Sequence, residues 1–307
     1  MKQINFTLTV AFVIFSFNIT LGCLNGETKI LKNGTLFYVD REGKVPYGHE
    51  FFTPEDEFRN ELRALDSLYK VTKDLDYLSD KGLLLILLKQ FNKAINLYLD
   101  IEKIQPNRYS TASNIGTAYE LDGQNENALK WINKAIEIDS TSHNNSEWIH
   151  SKILDAKIKG EQYFTSNYIL SINFGNEETP VSILTEEELT KFSDALYFQL
   201  NERVSFIKPQ EKIIAQLLFE LGNIEFLLGH YDNAIGNYVL AKKYGFEGHL
   251  IESRIMQGKK SKQESKSTPI QSENHFLEIT TAGIVIVLLL VFIYRRKTNK
   301  TAIESQQ

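Results

Sequence analysis

Residues 112–139 read ASNIGTAYELDGQNENALKWINKAIEID, which is the pattern of two short helices joined by a tight turn. In the second half, Leu129, Ile132 and Ile136 fall at the three- and four-residue spacing that places apolar side chains on one face of a helix. Asp122-Gly123-Gln124 separates the two halves with turn-forming residues. The stretch therefore predicts a helical hairpin with one apolar face.

The same pattern recurs along the chain. Residues 75–108 align with residues 109–142 at a spacing of 34, and a third copy lies further on. Each copy has a small residue at the eighth and twentieth positions, where larger side chains would hold the two helix axes apart. These residues are Gly82 and Ala94, Gly116 and Ala128, and Gly222 and Ala234. Because each pair leaves an apolar face open, neighbouring pairs are expected to stack.

These segments resemble tetratricopeptide repeats. Two stretches, residues 112–139 and LLFELGNIEFLLGHYDNAIGNYVLAKKYG at 217–245, are close to the family pattern, and residues 81–106 are a looser version closed by Pro106. Residues 107–158 also look like an uncharacterised bacterial family of exported repeat proteins. The resemblance implies an all-α fold of helix-turn-helix repeats, an α-solenoid, that binds a protein or peptide.

The remaining sequence predicts a small N-terminal hairpin, at residues 34–49 with a turn at 41–43, and a C-terminal transmembrane helix. Thr53-Pro54-Glu55 predicts the start of a helix, 168–174 a short strand, and Thr185 a capping box that opens a long helix. The predicted segments are a signal peptide (1–22), an N-terminal segment with the hairpin (23–58), repeat-like pairs and a following helix (59–160), an irregular insertion with the long helix (161–210), a last pair with a cap helix (211–257), a flexible linker (258–275), a transmembrane helix (276–294) and a cytoplasmic tail (295–307).

Both ends of the chain point to the membrane. Lys2 followed by the apolar stretch 6–19 is typical of a secretory signal, with an uncleaved anchor as the alternative. Residues 279–294 carry no charge and are followed by Arg295, Arg296 and Lys297, which favour a cytoplasmic tail and an exported body. The Lys/Asn/Ile-rich composition favours a bacterial source, in which this exported side is the periplasm.

Cys23 is the only cysteine, so the chain forms no internal disulfide. One interpretation is that Cys23 is removed with the signal or stays inert beside the cleavage site. The other is lipidation, because Leu21-Gly22-Cys23 resembles a bacterial lipoprotein signal, although Thr20 stands where leucine is usual.

Charge and motifs argue against nucleic-acid binding and catalysis. The formal charge is −5 over the whole chain and −9 over residues 23–294, which offers phosphates no basic surface. No two histidines stand at a zinc-helix spacing, and there is no glycine-rich phosphate loop and no Gly-x-Ser-x-Gly motif. His49-Glu50 is interpreted as a surface pair. We therefore expect no enzyme activity, no metal and no cofactor.

The predicted binding site is the groove formed by the first helix of each pair. Asn114 stands where some tetratricopeptide proteins hold the backbone or carboxylate of a peptide, but the lysines of that clamp are replaced by Ser79 and Leu83. The local alternative for Asn114 is a polar helix position that is satisfied within the fold. The predicted groove residues are Ser79, Leu83, Ser113, Asn114, Thr117 and Glu120.

Three functions fit these features. The first is a membrane-anchored scaffold that binds an envelope protein or peptide, and the second is a structural component that associates with itself. The third is an enzyme or ligand carrier with its site in residues 28–50 or 160–185.

Overall fold

The computed structural model describes residues 28–41, 43–52, 54 and 57–267. These residues form a mostly helical array preceded by a small sheet, as predicted. The helices are α1 (Phe58–Thr72), α2 (Leu75–Leu87), α3 (Phe91–Ile104), α4 (Tyr109–Leu121), α5 (Asn125–Ile138), α6 (Ser142–Asn145), α7 (Glu147–Lys159), α8 (Ser166–Ile169), α9 (Glu186–Phe206), α10 (Lys212–Leu227), α11 (Tyr231–Tyr244) and α12 (His249–Ser267), with a 3₁₀ turn at Glu161–Tyr163.

The three predicted helix pairs are α2–α3, α4–α5 and α10–α11. Close approach within each pair depends on the predicted glycines, because a Cβ added to Gly116 would lie 2.5 Å from Ile132 and one added to Gly222 would lie 2.5 Å from Tyr238. The partner alanines Ala94, Ala128 and Ala234 are fully buried. The small residues therefore allow the two helices of a pair to approach closely, as the sequence predicts.

The N-terminal sheet has three antiparallel strands in the order β1 (Thr28–Ile30), β2 (Leu36–Val39) and β3 (Glu50–Phe51). The hairpin is present, but its strands are joined differently from the prediction. β2 pairs with β3 through the long connection 40–49 and not through a tight turn at 41–43, and β2 also pairs with β1 upstream. The buried amine of Lys29 lies 3.1 Å from the carboxylate of Asp80, which ties β1 to α2.

The segment between the second and third pairs follows the prediction in part. The helix after the second pair is α7, and α9 opens with the predicted capping box, in which the backbone N–H of Thr185 donates to Glu188 Oε2 at 2.8 Å and that of Glu188 to Thr185 Oγ1 at 3.3 Å. The predicted strand at 168–174 is wrong, because the structure has α8 and an irregular stretch there. Arg254 on α12 donates to the carbonyls of Phe174 and Gly175, which holds that stretch without strand pairing.

Three hydrophobic clusters form the core of the described residues. The first is built by the sheet and α1–α4, the second mainly by α7 and α9–α12, and a small third one by Ala128, Ile132 and Leu154 between α5 and α7. Side chains on α9 such as Leu196 and Leu200 belong to the second cluster. The two halves of the chain therefore each bury apolar surface of their own.

The chain divides after Lys259, and the second unit, Lys260–Gln307, contributes only the last turns of α12 to the described residues. Because α12 is helical to Ser267, the first ten residues of the predicted flexible linker form a helix. α1 begins at Phe58, and part of the predicted start at 53–55 lies outside the described residues.

The signal peptide, Cys23, the transmembrane segment 276–294 and the tail also lie outside the described residues. Among the helices that the structure does describe, none has the length and apolar character needed to span a bilayer.

Replacing Gly116 with alanine should lower the free energy of unfolding by about 1–3 kcal/mol, because the new methyl group collides with Ile132. In an Ile132→Ala background the same change should cost much less, since the colliding atoms are gone. Urea unfolding of the wild type, both single variants and the double variant measures this coupling. Equal costs in the two backgrounds would show that helix approach does not depend on Gly116.

Candidate functional site

All six predicted groove residues are buried. Leu83 and Ser79 are fully covered, and even the most exposed, Glu120, has 9% of its surface accessible. The Tyr98 hydroxyl donates to the Ser79 carbonyl at 2.8 Å and accepts from Asn114 Nδ2 at 3.1 Å. Asn114 is therefore bonded within the fold, as the local alternative for this residue holds.

Glu120 and Glu147 are the centre of a buried charge network. Glu120 accepts hydrogen bonds from Lys157 Nζ at 2.8 Å and Arg203 Nη2 at 3.1 Å, and its Oε2 lies 2.7 Å from His150 Nε2. Glu147 Oε1 lies 2.6 Å from His143 Nδ1 and accepts from the Tyr109 and Ser113 hydroxyls. We use "charge network" for Glu120, His143, Glu147, His150, Lys157 and Arg203.

The charge network shifts the pKa of three of its members. Burial alone would raise the pKa of the Glu120 carboxyl, but Arg203, Lys157 and His150 bring it well below its ordinary value. For Glu147, burial is again outweighed, by hydrogen bonds from His143 and His150, and the pKa is also well below the ordinary value. Burial and Arg203 lower the pKa of His150, yet Glu120 and Glu147 raise it above its ordinary value.

The helix α9 covers the end of the predicted groove at Thr117 and Glu120. Gln199 and Arg203, one turn apart, place a polar stripe against α4 and the turn before α7. Gln199 Oε1 accepts from Arg203 Nη1 at 2.9 Å, and Gln199 Nε2 donates to Ser146 Oγ at 3.0 Å. The space left beside Glu120 and His150 is about 10 Å³, which holds one water molecule at most.

The connection 40–49 covers the outer side of α9 and reaches α11. The backbone N–H of Gly48 donates to Asn201 Oδ1 at 2.8 Å and that of His49 to Ser205 Oγ at 2.8 Å. Asn237 Nδ2 donates to the Lys44 carbonyl, also at 2.8 Å. The 40–49 connection therefore packs on α9 and α11, and α9 in turn covers the end of the predicted groove at Thr117 and Glu120.

His49 is not the surface pair that its sequence suggested. Its ring is buried, stacks on Tyr38 with centroids 3.9 Å apart, and places Nδ1 2.6 Å from Asp40 Oδ1. Glu50 instead faces Arg41 at 3.7 Å. The prediction failed because the fold brings Asp40 beside His49 across the 40–49 connection.

Two of the clefts formed by the described residues are open to solvent. The wider cleft, of about 650 Å³, is lined by Trp148 and Phe192, whose rings meet edge to face, and by polar groups such as Asn144 and Asp194. The other cleft, of about 290 Å³, lies where β3, α1, the α2–α3 turn and the end of α9 meet. We call it the aromatic cleft; its main lining residues are Phe51, Phe58, Lys89, Phe91, Phe206 and Lys208.

Within the part of the chain that the structure describes, no group of three or more histidine, cysteine, aspartate or glutamate side chains is arranged to hold a metal ion. The expectations of no cofactor and no enzyme activity stay predictions.

Comparison with known proteins supports the repeat assignment. A family model for the tetratricopeptide repeat matches residues 110–142, which is nearly the whole of the predicted second unit. The chain contains a tetratricopeptide repeat. Proteins built on such repeats generally act as non-enzymatic scaffolds for protein–protein interaction. The resemblance to one exported bacterial family stays a prediction.

A crystal structure of a tetratricopeptide repeat protein from Parabacteroides merdae ATCC 43184 is similar over 67% of this chain and 79% of that chain, with 14% sequence identity and a TM-score of 0.31. No curated protein sequence matches the chain.

Sequence reasoning found one member of the charge network, Glu120, and missed the rest. A signal was present, because His143, Glu147 and His150 are spaced by four and three residues, the spacing of side chains on one face of a helix, although in the structure His143 lies in α6 and the other two on α7. Arg203 carries no such local signal, since it lies 83 residues from Glu120.

The charge network predicts a pH window for this repeat protein. Glu120 and Glu147 have lowered pKa values in the folded state, so their contribution is lost as pH falls below about 4.5. His150 has a raised pKa, so its contribution is complete below about 6.5 and is lost as pH rises through its folded-state pKa. We expect the network to stabilise the fold most between these limits.

Urea unfolding at pH 5.5 and pH 8.5 tests this window. The wild type should lose free energy of unfolding at the higher pH, and His150→Gln should lose less because it has no proton to release. His249→Gln, a histidine outside the charge network, should behave like the wild type. If His150→Gln lost as much free energy of unfolding between pH 5.5 and pH 8.5 as the wild type, the alkaline loss could not be assigned to His150.

Proposed function

We propose that this protein is a membrane-anchored scaffold on the outer side of the cytoplasmic membrane, and that its protein partner binds without opening the predicted groove. The observation that carries the second part is the burial of all six predicted groove residues, with α9 packed over the end of the groove at Glu120. The general role of tetratricopeptide repeats in protein interaction supports the scaffold.

Displacing α9 would cost more free energy than the binding of a partner peptide readily supplies. Arg203 is 4% exposed, so its separation from Glu120 leaves two buried charges without their partners or exposes the apolar side of α9 to water. Breaking one buried ion pair typically costs about 3–5 kcal/mol. A partner that uses the open surface avoids this cost.

Membrane anchoring rests on the sequence. The uncharged segment 279–294 is close to the length of a bilayer span, and the bases that follow it favour the cytoplasm. The apolar N-terminus supports the same direction, because a cleaved signal exports the residues after it. The body carries a formal charge of −9, which disfavours contact with anionic lipid along its length.

Topology is tested with single cysteines in a Cys23→Ser background. In intact bacterial spheroplasts, Lys130→Cys in the body should react with a membrane-impermeant maleimide, and Ser305→Cys in the tail should react only after lysis. Both variants should stay with the membrane after alkaline extraction. Release of the protein by alkali, or labelling of the tail in intact spheroplasts, would contradict the proposed anchoring.

Partner binding is tested by crosslinking in membranes, followed by identification of the captured proteins. Ser113→Ala and Thr117→Ala should lower the thermal unfolding temperature, because both side chains are buried, but should recover as much partner per folded molecule as the wild type. Loss of the partner without loss of stability would place binding in the groove. Recovery of crosslinks only between copies of this chain would replace the scaffold with a self-associating structural role.

A further inference from the structure

The turn inside each repeat pair contains one residue in the left-handed region of backbone conformation. In the second and third pairs this residue is glycine, Gly123 with φ 79° and Gly229 with φ 78°. In the first pair the aligned residue is Lys89, with φ 55°. Glycine adopts this conformation without penalty, whereas a residue with a Cβ pays about 1–2 kcal/mol.

The side chain of Lys89 lines the aromatic cleft. Four phenylalanine side chains contribute to the cleft, and Phe58 is the most buried of them. Lys208, from the end of α9, is a second lysine of the lining, and both lysines are exposed. The strained lysine therefore brings a positive charge to an apolar surface.

We propose that the aromatic cleft binds a peptide segment that carries a large apolar side chain next to a carboxylate. The proposal rests on the scaffold function above and names the chemistry of the partner. Phenylalanine rings would enclose the apolar side chain, and Lys89 and Lys208 would pair with the carboxylate.

Charge complementarity favours this ligand. Among the described residues that line the cleft, none is acidic. Lys89 forms no ion pair within the described part of the chain, and Lys208 Nζ is 3.4 Å from the Ser205 carbonyl, a weak contact. In a body with a formal charge of −9, two lysines without acidic partners at one cleft form a local site for an anion.

The size of the cleft favours a short peptide segment. Its volume of about 290 Å³ lies at the lower end of the range for ligand pockets, about 300–1,000 Å³. A cleft of this size holds one large side chain with its adjoining backbone, and a whole amphipathic helix would not fit. The cleft also lies outside the groove that α9 fills, so binding requires no displacement of that helix.

The test uses the full-length chain in lipid nanodiscs and three fluorescent tetrapeptides that end in phenylalanine. The first has a free C-terminal carboxylate, the second has a C-terminal amide, and the third has the amide but an aspartate before the phenylalanine. We expect saturable binding of the first or third peptide, depending on which carboxylate the lysines prefer, and about tenfold weaker binding of the second.

Two matched variants separate ligand binding from backbone strain. Lys89→Gly and Lys73→Gly each replace a left-handed lysine with glycine, since Lys73 has φ 60° at the end of α1. Both should unfold at the same temperature as the wild type or higher. Of these two variants, only Lys89→Gly should bind about tenfold more weakly to the carboxylate-bearing peptide that the wild type binds. Lys208→Gln should also weaken binding of that peptide.

Equal affinity for all three peptides, or equal effects of the two glycine variants on peptide binding, would overturn the proposal. Binding of decanoate with the same dependence on Lys89, without peptide binding, would show that the cleft takes a fatty acid and would also overturn it. The scaffold function is read separately, by membrane crosslinking. If the wild type and Lys89→Gly capture the same partner equally well, the cleft proposal fails and the scaffold stands.

Discussion

The carboxylate of Glu120 stays charged inside the protein, and much of the architecture follows from that constraint. A buried carboxylate is costly unless cations surround it, and here three side chains on two helices supply them: Lys157 and His150 on α7 and Arg203 on α9. The second repeat pair, the helix after it and the inserted α9 are thereby tied at one point. Because α9 also buries leucines against α10, the third pair is connected to the same point through apolar packing.

This arrangement explains why the array tolerates a break in its repeat register. In a regular solenoid each pair stacks directly on the next, and the interface is apolar. Here α9 stands between the second and third pairs as an amphipathic spacer, with its Gln199 and Arg203 side on the second pair and its leucine side on the third. The polar side determines the position of α9, because the buried charge of Arg203 needs the Glu120 carboxylate beside it. Apolar surfaces alone tolerate many packings.

The repeats could be predicted from the sequence because their determinants are local. Gly116 and Ala128 are twelve residues apart, and the pattern of small and apolar residues between them already specifies two packed helices. The filling of the groove could not be predicted in this way. Glu120 and Arg203 are 83 residues apart, and Gly48 and Asn201 are 153 apart, with no periodicity to connect them. Polar side chains on a helix face, such as Ser113, Asn114 and Thr117, indicate either a binding surface or a buried polar interface. Tertiary contacts distinguish the two, here those of Ser113 with Glu147 and of Asn114 with Tyr98.

A repeat protein that fills its own groove has to bind through features in which one repeat differs from the others. The glycines and alanines shared by the three pairs serve helix packing, so they are committed to the fold. Positions at which the repeats differ are not required for this helix packing. At the turn, Lys89 stands where the other two pairs have glycine, although the left-handed backbone conformation there favours glycine. Lys89 is the turn residue that differs from the other repeats and also lines the aromatic cleft, where its charge lies beside phenylalanine side chains. By this argument the binding specificity of the scaffold lies at the edge of the first repeat, and the centre of the array serves to hold that edge in place.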